Sequence, residues 1–262
     1  MKVYSEHKYT VVTGASQGLG KAFALSLAKR QHNLILISLP NQNLKELAQH
    51  ITTQYNVNVA CFETDFSSDE NIIALTTHLN TNYTIDILIN NAGTGGTKKL
   101  EDASLNYLNT IIQVNVKATT VFTHQLLPNL KQQPRSYILN VSSIAAFSPV
   151  GYKTVYPASK AFVHSFSLGL SEELKQSNVS VSVINPGAMK TNPEITARIE
   201  KQGFIGKLTL LEPQKVAEYS IKKMFRGTTF ILINPMSWML SSLLPNWIKV
   251  PMMTKIVKRE AS

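Results

Sequence analysis

A tyrosine and a lysine stand four positions apart in the stretch TVYPASKAF, at Tyr156 and Lys160. On a helix these side chains would be neighbours on one face, because residues at i and i+4 lie about one turn apart. Two interpretations fit such a pair. It is either a solvated surface pair, or an acid–base pair in which the lysine ammonium group lowers the pKa of the phenol. An opposite charge within about 4–6 Å favours the ionised form of a titratable group, which is the basis of the second interpretation.

The stretch TGASQGLG places glycines at 14, 18 and 20 between an apolar run and a helical segment. Glycines at this position allow a tight turn, close approach of the backbone to a pyrophosphate, and a helix N-terminus aimed at an anion. A purely structural turn is the alternative, but the flanking strand and helix favour a dinucleotide site. The residues of this loop that are expected to contact the cofactor are Gly14, Ser16, Gln17, Gly18, Leu19 and Gly20.

The second apolar run ends in ISLPNQ, where dinucleotide folds that bind NAD often carry a carboxylate for the ribose 2′-hydroxyl. Ser38 and Leu39 occupy these positions, so that carboxylate is missing. No Arg or Lys stands there to bind a 2′-phosphate either, and Lys45 is more distant. The missing carboxylate and the basic chain slightly favour NADP over NAD, with Ser38 as a contact.

Short apolar runs rich in Val and Ile alternate with segments of helical spacing along the whole chain. This alternation predicts a parallel sheet covered by helices on both faces. Right-handed crossovers then give a doubly wound, Rossmann-like α/β fold of about seven strands. Neither a linker nor a repeat divides the chain, so residues 1–262 are predicted to form a single dinucleotide-binding domain. The predicted strands lie at 9–14, 33–38, 58–65, 85–93, 136–143, 179–187 and 230–235.

Residues able to bind a ligand follow these predicted strands at their carboxyl ends. In doubly wound sheets the ligand lies at that edge, so their placement supports a binding site there. They are Gly14, Asp65, Asn91, Ser143 and Pro186.

Six motifs occur in order: TGASQGLG (13–20), NNAG (90–93), Asn115 within VNVKA, NVSS (140–143), YPASK (156–160) and NPGAMKT (185–191). Together they resemble the short-chain dehydrogenase/reductase family, in its single-domain subgroup of roughly 250 residues. The resemblance runs from about residue 8 to residue 235, and the chain after 235 carries no matching motif.

The resemblance implies a role for each matching residue. Tyr156 would be the general acid and base, and Lys160 would lower its pKa. Ser143 precedes Tyr156 by 13 residues, the usual separation in the family, and is preferred to Ser142. Asn115 would hold a water relay behind the lysine. The further cofactor contacts expected are Asp65 and Phe66 near the adenine, Asn91, Ala92 and Gly93 along the adenosine, and Pro186, Gly187 and Thr191 around the nicotinamide.

These residue types suit the reduction of a carbonyl, which takes a hydride and a proton. The nicotinamide supplies the hydride, because no side chain can. Tyrosine begins with a pKa near 10, and moving it towards 7 requires about 4 kcal/mol of preferential stabilisation of the phenolate. Lys160 is the expected source of that stabilisation, and Ser143 would donate a hydrogen bond to the developing oxyanion.

The composition, 44% apolar and 16% charged residues, indicates a folded globular protein. The single cysteine, Cys61, cannot form an internal disulfide and predicts a reduced core thiol in a cytoplasmic protein. The opening residues do not resemble a secretion signal, and no run of about 18 apolar residues predicts a spanning helix. The six histidines show no ligand pattern, so no metal site is predicted.

The formal net charge is +10, and the residues from 201 onward carry ten Lys or Arg against three Glu. This balance fits solubility and the attraction of an anionic cofactor, and a contact with acidic lipid or an acidic substrate is the alternative. Neither a recognition motif nor aromatic residues interleaved with a basic patch occur, so nucleic-acid binding is not predicted.

Two segments near the C-terminus concern the substrate. The resemblance implies a substrate lid at residues 188–212, whose apolar side chains either contact a fairly apolar substrate or pack on the core. Residues 236–262 form a C-terminal extension that is apolar, then basic, and interrupted by Pro245 and Pro251. It is either a tail packed over the active site or a second subunit, or a segment that lies on a membrane surface.

The sequence therefore predicts an NAD(P)-dependent oxidoreductase that transfers a hydride between a nicotinamide cofactor and a small-molecule ketone or secondary alcohol. A homodimer or homotetramer is expected. Two alternatives remain: a non-catalytic dinucleotide-binding regulator on the same fold, and a membrane-surface-associated acyl or sterol reductase. The complete set of Ser143, Tyr156 and Lys160 argues against the regulator.

Overall fold

Near-continuous runs of Val, Ile and Leu form one parallel sheet in the computed structural model, which describes residues 8–189 and 211–261, with side chains through residue 258. Side chains on both faces of the sheet are buried, because helices cover it on both sides. The strands are β1 (Lys8–Thr13), β2 (Asn33–Ser38), β3 (Val59–Glu63), β4 (Thr84–Asn90), β5 (Ser136–Val141), β6 (Val179–Ile184) and β7 (Phe230–Ile231).

The strand order is β3-β2-β1-β4-β5-β6-β7, and every neighbouring pair is parallel. This confirms the predicted doubly wound, Rossmann-like sheet of seven strands. The order reverses between β1 and β4, which is the point where such sheets open a crevice for a ligand. Several predicted strands extended too far, because Gly14, Asn91 and Ser143 already lie in the loops beyond the carboxyl edge.

Two layers of helices enclose two hydrophobic cores. One core joins the sheet to α1 (Gly18–Ala28), α2 (Leu44–Tyr55) and α7 (Pro213–Met224), and the other joins it to α3 (Asp69–Asn82), α5 (Ala118–Lys131) and the end of α6 (Val155–Glu173). The other helices are α4 (Leu105–Ile112), α8 (Pro235–Leu243) and α9 (Asn246–Ala261). A π-helical turn (Gln113–Lys117) joins α4 to α5, and a 3-10 turn (Ile144–Phe147) follows β5.

A chain of buried polar side chains fixes the strand ends that carry the site. Asn90 and Asn140 are partners in the register of β4 and β5. The Asn90 amide donates to Asn140 Oδ1 at 2.9 Å and to Thr123 Oγ1 at 3.0 Å, and the Asn140 amide donates to Ser167 Oγ at 2.9 Å. Leaving one such buried group unpaired costs about 1–3 kcal/mol, so these bonds hold α5, β4, β5 and α6 in one relative position.

The predicted substrate lid at 188–212 lies outside the described residues except at its two ends. There the Leu211 N–H donates to the carbonyl oxygen of Ala188 at 2.9 Å. Because the structure does not describe the whole chain, a single domain over residues 1–262 stays a prediction.

Candidate active site

The glycine loop after β1 requires glycine for steric and conformational reasons. Gly14 and Gly18 have φ angles of +64° and +54°, a region that other residues rarely adopt. A Cβ atom at Gly20 would lie 2.0 Å from the carbonyl oxygen of Gly14. Because α1 begins at Gly18, the free N–H groups of its first turn face this loop. Ser16 and Gln17 are partly or fully exposed and Leu19 is buried.

The side chain of Asn91 ties the loop after β4 to the glycine loop. Its amide nitrogen donates to the carbonyl oxygens of Thr13 and Gly14, at 3.0 and 3.1 Å. Thr13 Oγ1 in turn accepts from the N–H groups of Asn91 and Ala92, both at 3.0 Å. Asn91 thus shapes the predicted cofactor cradle. Thr13 shares this task, although it was not among the predicted site residues.

Helix α6 presents Tyr156 and Lys160 one turn apart, as predicted. Lys160 is only 5% exposed, and its Nζ donates to the carbonyl oxygen of Val141 at 2.9 Å. Ser143, just beyond β5, lies close enough to the Tyr156 hydroxyl to lower its pKa. Ser143 Oγ also accepts from the N–H of Ala145 at 3.1 Å, which fixes the serine rotamer. The structure therefore brings the three predicted catalytic side chains to one place at the carboxyl edge of the sheet.

Asn115 lies in the π-helical turn and is 1% exposed. Its side chain accepts from the N–H of Thr94 at 2.8 Å and donates to the Thr94 carbonyl oxygen at 2.8 Å and to Ser159 Oγ at 2.9 Å. The Asn115 carbonyl oxygen accepts from Thr119 Oγ1 at 3.0 Å. Asn115 therefore holds the loop after β4 against α6, and π-helical turns of this kind are frequent at functional sites.

Two glycines let that loop approach the catalytic side chains. A Cβ atom at Gly93 would lie 3.1 Å from Lys160 Nζ and 3.3 Å from Asn115 Oδ1. A Cβ atom at Gly95 would lie 2.4 Å from Cδ2 of the Tyr156 ring. Gly93 belongs to the predicted NNAG motif, whereas Gly95 was missed because it lies outside every motif.

Burial shifts the pKa values of both Tyr156 and Lys160. It raises the pKa of the Tyr156 hydroxyl, and the hydrogen bond with Ser143 acts in the opposite direction. It lowers the pKa of Lys160 to about 8. This differs from the expectation that Lys160 lowers the pKa of the tyrosine. The physical reason is that burial disfavours the charged form of both groups, and the ammonium group is engaged with Val141.

The other predicted cofactor contacts follow neighbouring strands. Asp65 is exposed after β3, and its Oδ1 accepts from the N–H of Ser67 at 2.9 Å. The Phe66 side chain packs in the core against Phe122, with ring centroids 5.0 Å apart, so only its backbone can serve a ligand. Ser38 is buried at the end of β2, and its hydroxyl donates to the carbonyl oxygen of Leu39 at 3.0 Å.

The segment after β6 lies against the segment after β5. The carbonyl oxygen of Pro186 accepts from the N–H of Ile144 at 3.0 Å, which brings Pro186 and Gly187 next to the serine loop. Thr191, the last predicted contact, lies outside the described residues.

A hydrogen-bond chain behind the predicted catalytic residues was not expected from the sequence. His164 Nδ1 and Asn185 Oδ1 lie 3.0 Å apart, and the Asn185 amide donates to Ser142 Oγ at 2.9 Å and to the Ser143 carbonyl oxygen at 3.0 Å. Ser142 Oγ donates to the Lys160 carbonyl oxygen at 2.7 Å. The chain therefore fixes the backbone at Ser143 and Lys160, two of the predicted catalytic positions. Its only signal in the sequence was the NPG motif that Asn185 begins.

The C-terminal extension packs on the loops that carry the site. Lys249 Nζ donates to the carbonyl oxygens of Phe147, in the 3-10 turn after Ser143, and of Ser241. Thr254 Oγ1 accepts from the N–H of Gly151 at 2.9 Å, in the loop before Tyr156. Among the described residues, the inner side of this tail therefore contacts the loops next to Ser143 and Tyr156. This placement agrees with the first of the two interpretations, a tail packed over the active site.

Comparison with known proteins agrees with this geometry. A model of the family described as short chain dehydrogenase matches residues 8–202. An uncharacterized oxidoreductase of Staphylococcus epidermidis is 33% identical over 186 residues, which cover 71% of this chain and 80% of that protein. The very-long-chain 3-oxoacyl-CoA reductase of Rattus norvegicus is 33% identical over 251 residues, which cover 92% of this chain and 77% of that protein.

A solved structure shares the fold. It is a short-chain dehydrogenase from Sphingobium yanoikuyae in complex with NADPH, 27% identical, with a TM-score of 0.77 over 86% of this chain and 87% of that one. The family match spans most of the chain and includes the glycine loop, Asn115, Ser143, Tyr156 and Lys160. The chain therefore belongs to the short-chain dehydrogenase family of oxidoreductases.

Proposed function

We propose that this protein is an NADP(H)-dependent oxidoreductase that interconverts a ketone and a secondary alcohol on a fairly apolar small molecule. The observation that carries the proposal is the placement of three side chains at the carboxyl edge of the sheet: Ser143 just beyond β5, and Tyr156 and the buried Lys160 one turn apart on α6. Family membership supports the reaction class, and the residue roles below are our inference.

The glycine cradle fits a dinucleotide. A Cβ atom at Gly14 or Gly20 would lie within 3 Å of backbone atoms, and one at Gly93 would lie 3.1 Å from Lys160 Nζ, so glycine at these positions allows the close approach of backbone that shapes the cradle. The N–H groups in the first turn of α1 would bind its pyrophosphate, and Lys160 would bind the ribose hydroxyls. The nicotinamide, when bound, supplies or accepts the hydride.

Tyr156 would exchange the proton with the substrate oxygen. Its raised pKa keeps the hydroxyl protonated at neutral pH, so in the resting geometry it is ready to donate to a carbonyl oxygen. Ser143 would hydrogen-bond that oxygen as negative charge develops on it. Lys160 carries its charge below about pH 8, and there it would stabilise the phenolate that forms when the proton leaves.

A 3-oxoacyl thioester is the sharper substrate candidate. The observation that favours it is the 33% identity to the rat very-long-chain 3-oxoacyl-CoA reductase over 92% of this chain. A long acyl chain also agrees with the apolar side chains that the sequence places in the predicted lid.

The preference for NADP(H) rests on the end of β2. Ser38 and Leu39 offer no carboxylate to repel a 2′-phosphate, and the related Sphingobium enzyme was solved with NADPH. A homodimer or homotetramer and a cytoplasmic location stay predictions.

The test is turnover with NADPH and NADH side by side. Substrates would be 3-oxoacyl-CoA esters of short and long chain, an apolar cyclic ketone and a ketose sugar. We expect the long 3-oxoacyl ester to give the highest kcat/KM and NADPH to exceed NADH. A preference for the ketose would contradict the apolar substrate. Binding of NADPH without reduction of any ketone would instead favour the non-catalytic regulator.

A further inference from the structure

The C-terminal helices expose an unusual amount of apolar surface. Of sixteen large apolar side chains that are exposed among the described residues, eight lie on α8 and α9, with exposed fractions between 39% and 77%. Concentrated apolar exposure of this kind marks an interaction surface rather than ordinary scatter. We name these eight side chains the apolar tail face: Met236, Met239, Leu240, Leu243, Trp247, Ile248, Met252 and Ile256.

This surface is not a consequence of loosely attached helices. The inner side of the same two helices is fixed to the protein body by Lys249, which donates to the Phe147 carbonyl oxygen, and by Thr254, which accepts from Gly151. Trp238 packs on Phe230, with ring centroids 6.0 Å apart. The helices therefore have an attached side and an apolar tail face whose side chains stay largely exposed in the described chain.

The charges of the tail favour one kind of partner. Residues 235–258 contain no carboxylate, and Lys255 and Lys258 are exposed beside the apolar side chains. Over residues 235–262 the sequence has four basic residues and one acidic residue, Glu260. In a symmetric dimer the same patch would meet itself, so the cations of two copies would face each other. An anionic lipid surface would instead complement both the apolar and the basic side chains.

We propose that the apolar tail face docks on an anionic phospholipid bilayer, with α8 and α9 lying in the plane of the lipid–water interface. Among the described residues, no helix is both long and apolar enough to cross a bilayer, which fits a surface position for these two. Docking would place the loops before Tyr156 and after Ser143 about one helix diameter, ~10 Å, from the lipid, because Lys249 and Thr254 join those loops to the inner side of the tail. An apolar substrate would then reach the site from the membrane.

The first test is flotation of the full-length protein with vesicles of phosphatidylcholine, alone or with phosphatidylserine. It needs no substrate or cofactor, so its outcome is independent of the proposed reaction. We expect binding to the anionic vesicles. The double variant Leu243→Ser with Trp247→Ser should reduce partitioning at least about tenfold, because two inserted apolar side chains are lost. The matched control Ile73→Ser removes an exposed apolar side chain on α3 and should leave binding unchanged.

The second test follows Trp247 itself. The chain has two tryptophans, so Trp238→Phe leaves Trp247 as the single fluorophore and keeps an aromatic ring against Phe230. Its emission should shift to the blue on addition of anionic vesicles and be quenched by brominated acyl chains. Lys255→Gln should weaken binding to anionic vesicles about fivefold and leave binding to neutral vesicles unchanged.

Three results would overturn the proposal. They are absence of binding to anionic vesicles, binding that the double variant leaves unchanged, and a Trp247 emission that vesicles do not alter. If the double variant instead converts a dimer to a monomer in sedimentation while the wild type ignores vesicles, the apolar tail face is a subunit interface and the lipid assignment is wrong.

Discussion

The predicted cofactor region, residues 8–93, and the tail, residues 235–258, differ in how their side chains are used. In the predicted cofactor region, backbone atoms approach so closely that Gly14 and Gly20 admit no side chain. The side chains of Asn91 and Thr13 form hydrogen bonds that hold the loop in place. In α8 no side chain is fully buried, and half of the exposed large apolar side chains of the described chain lie in the tail. The first region is distinguished by its internal contacts, and the second by the apolar side chains that it exposes to solvent.

This difference explains why the function of one region can be predicted from its sequence and that of the other cannot. Close internal contacts restrict the residue type at each position, so a short sequence motif is enough to identify the predicted cofactor region. An outward-facing surface restricts only the polarity and charge of its residues. Many different sequences can form such a surface, so the tail carries no recognisable motif. Variants in the predicted cofactor region and at the proposed catalytic residues should therefore impair cofactor binding or turnover, whereas variants in the tail should change how well the protein reaches its substrate.

The largest effect is expected for Tyr156→Phe. The ring keeps its volume and its contact with Gly95, but the proton donor is lost, which typically costs about 10²–10⁴-fold in turnover. Steady-state kinetics together with NADPH titration by calorimetry would measure it, and cofactor affinity should stay near the wild-type value. Retention of more than about a tenth of wild-type turnover would show that this tyrosine is not the acid.

Gly20→Ala should come next. Its Cβ atom would lie 2.0 Å from the Gly14 carbonyl oxygen, so the glycine loop has to shift. Overpacking of this kind costs about 1–3 kcal/mol, and we expect NADPH affinity to fall about tenfold to a hundredfold. The control is Gly169→Ala in α6, where a Cβ atom has no neighbour within 4 Å and the added helix propensity should stabilise the fold. Equal NADPH affinity in both variants would contradict the predicted cradle.

A smaller effect is expected at the end of β2. Ser38→Asp should move cofactor preference towards NADH by about tenfold, through a hydrogen bond to the ribose 2′-hydroxyl and repulsion of a 2′-phosphate. Leu39→Asp makes a useful comparison, because Leu39 is exposed whereas Ser38 is buried. The ratio of kcat/KM with the two cofactors measures the shift. If neither variant changes that ratio, the ribose does not bind at this strand end.

The smallest effect is expected in the tail. Lys249→Met removes the ammonium group that joins α8 and α9 to Phe147, and should raise KM for a long apolar substrate about threefold to tenfold, as expected for about 1 kcal/mol of lost positioning. NADPH affinity should not change. Lys255→Met, an exposed position of the same helix, is the control in a lipid-free assay. A loss of NADPH binding in Lys249→Met would mean that the two regions are not separable.

The sequence was sufficient for the regular part of the molecule. Val- and Ile-rich runs predicted all seven strands, and the glycine loop, Ser143, Tyr156 and Lys160 were placed at the edge where the structure brings them together. These features are local, because each depends on a few adjacent residues and on the strand that precedes them.

What the sequence did not reveal depends on long-range packing. The bonds of Asn115 to Thr94 and Ser159 join residues 21 and 44 positions apart. Thr94 belongs to no motif, and Ser159 lies within YPASK without any sign of its partner in the sequence. The sequence did not indicate that burial raises the pKa of Tyr156, because a spacing of four residues shows proximity to a lysine but not burial. The apolar stretch of the tail was visible, but only the fold shows which of its side chains face outward.

The central claim is that the charge of Lys160 supports proton transfer at Tyr156. Burial lowers the pKa of Lys160 to about 8, so the ammonium form is present below that pH and is lost as pH rises through it. Because the folded-state pKa lies below the unfolded one, the buried charge destabilises the fold at neutral pH, and this cost disappears towards alkaline pH. Lys160→Met should therefore be at least as resistant to denaturant as the wild type at pH 7, which controls for misfolding.

The most direct measurement is the pH dependence of kcat/KM for ketone reduction by the wild type and by Lys160→Met, between about pH 6 and pH 10. We predict that wild-type reduction falls as pH rises through about 8, and that the low residual activity of the variant lacks this limb. A wild-type profile that stays level across the range, or a variant that keeps both the limb and most of the rate, would contradict the assignment of Lys160 as the partner of Tyr156.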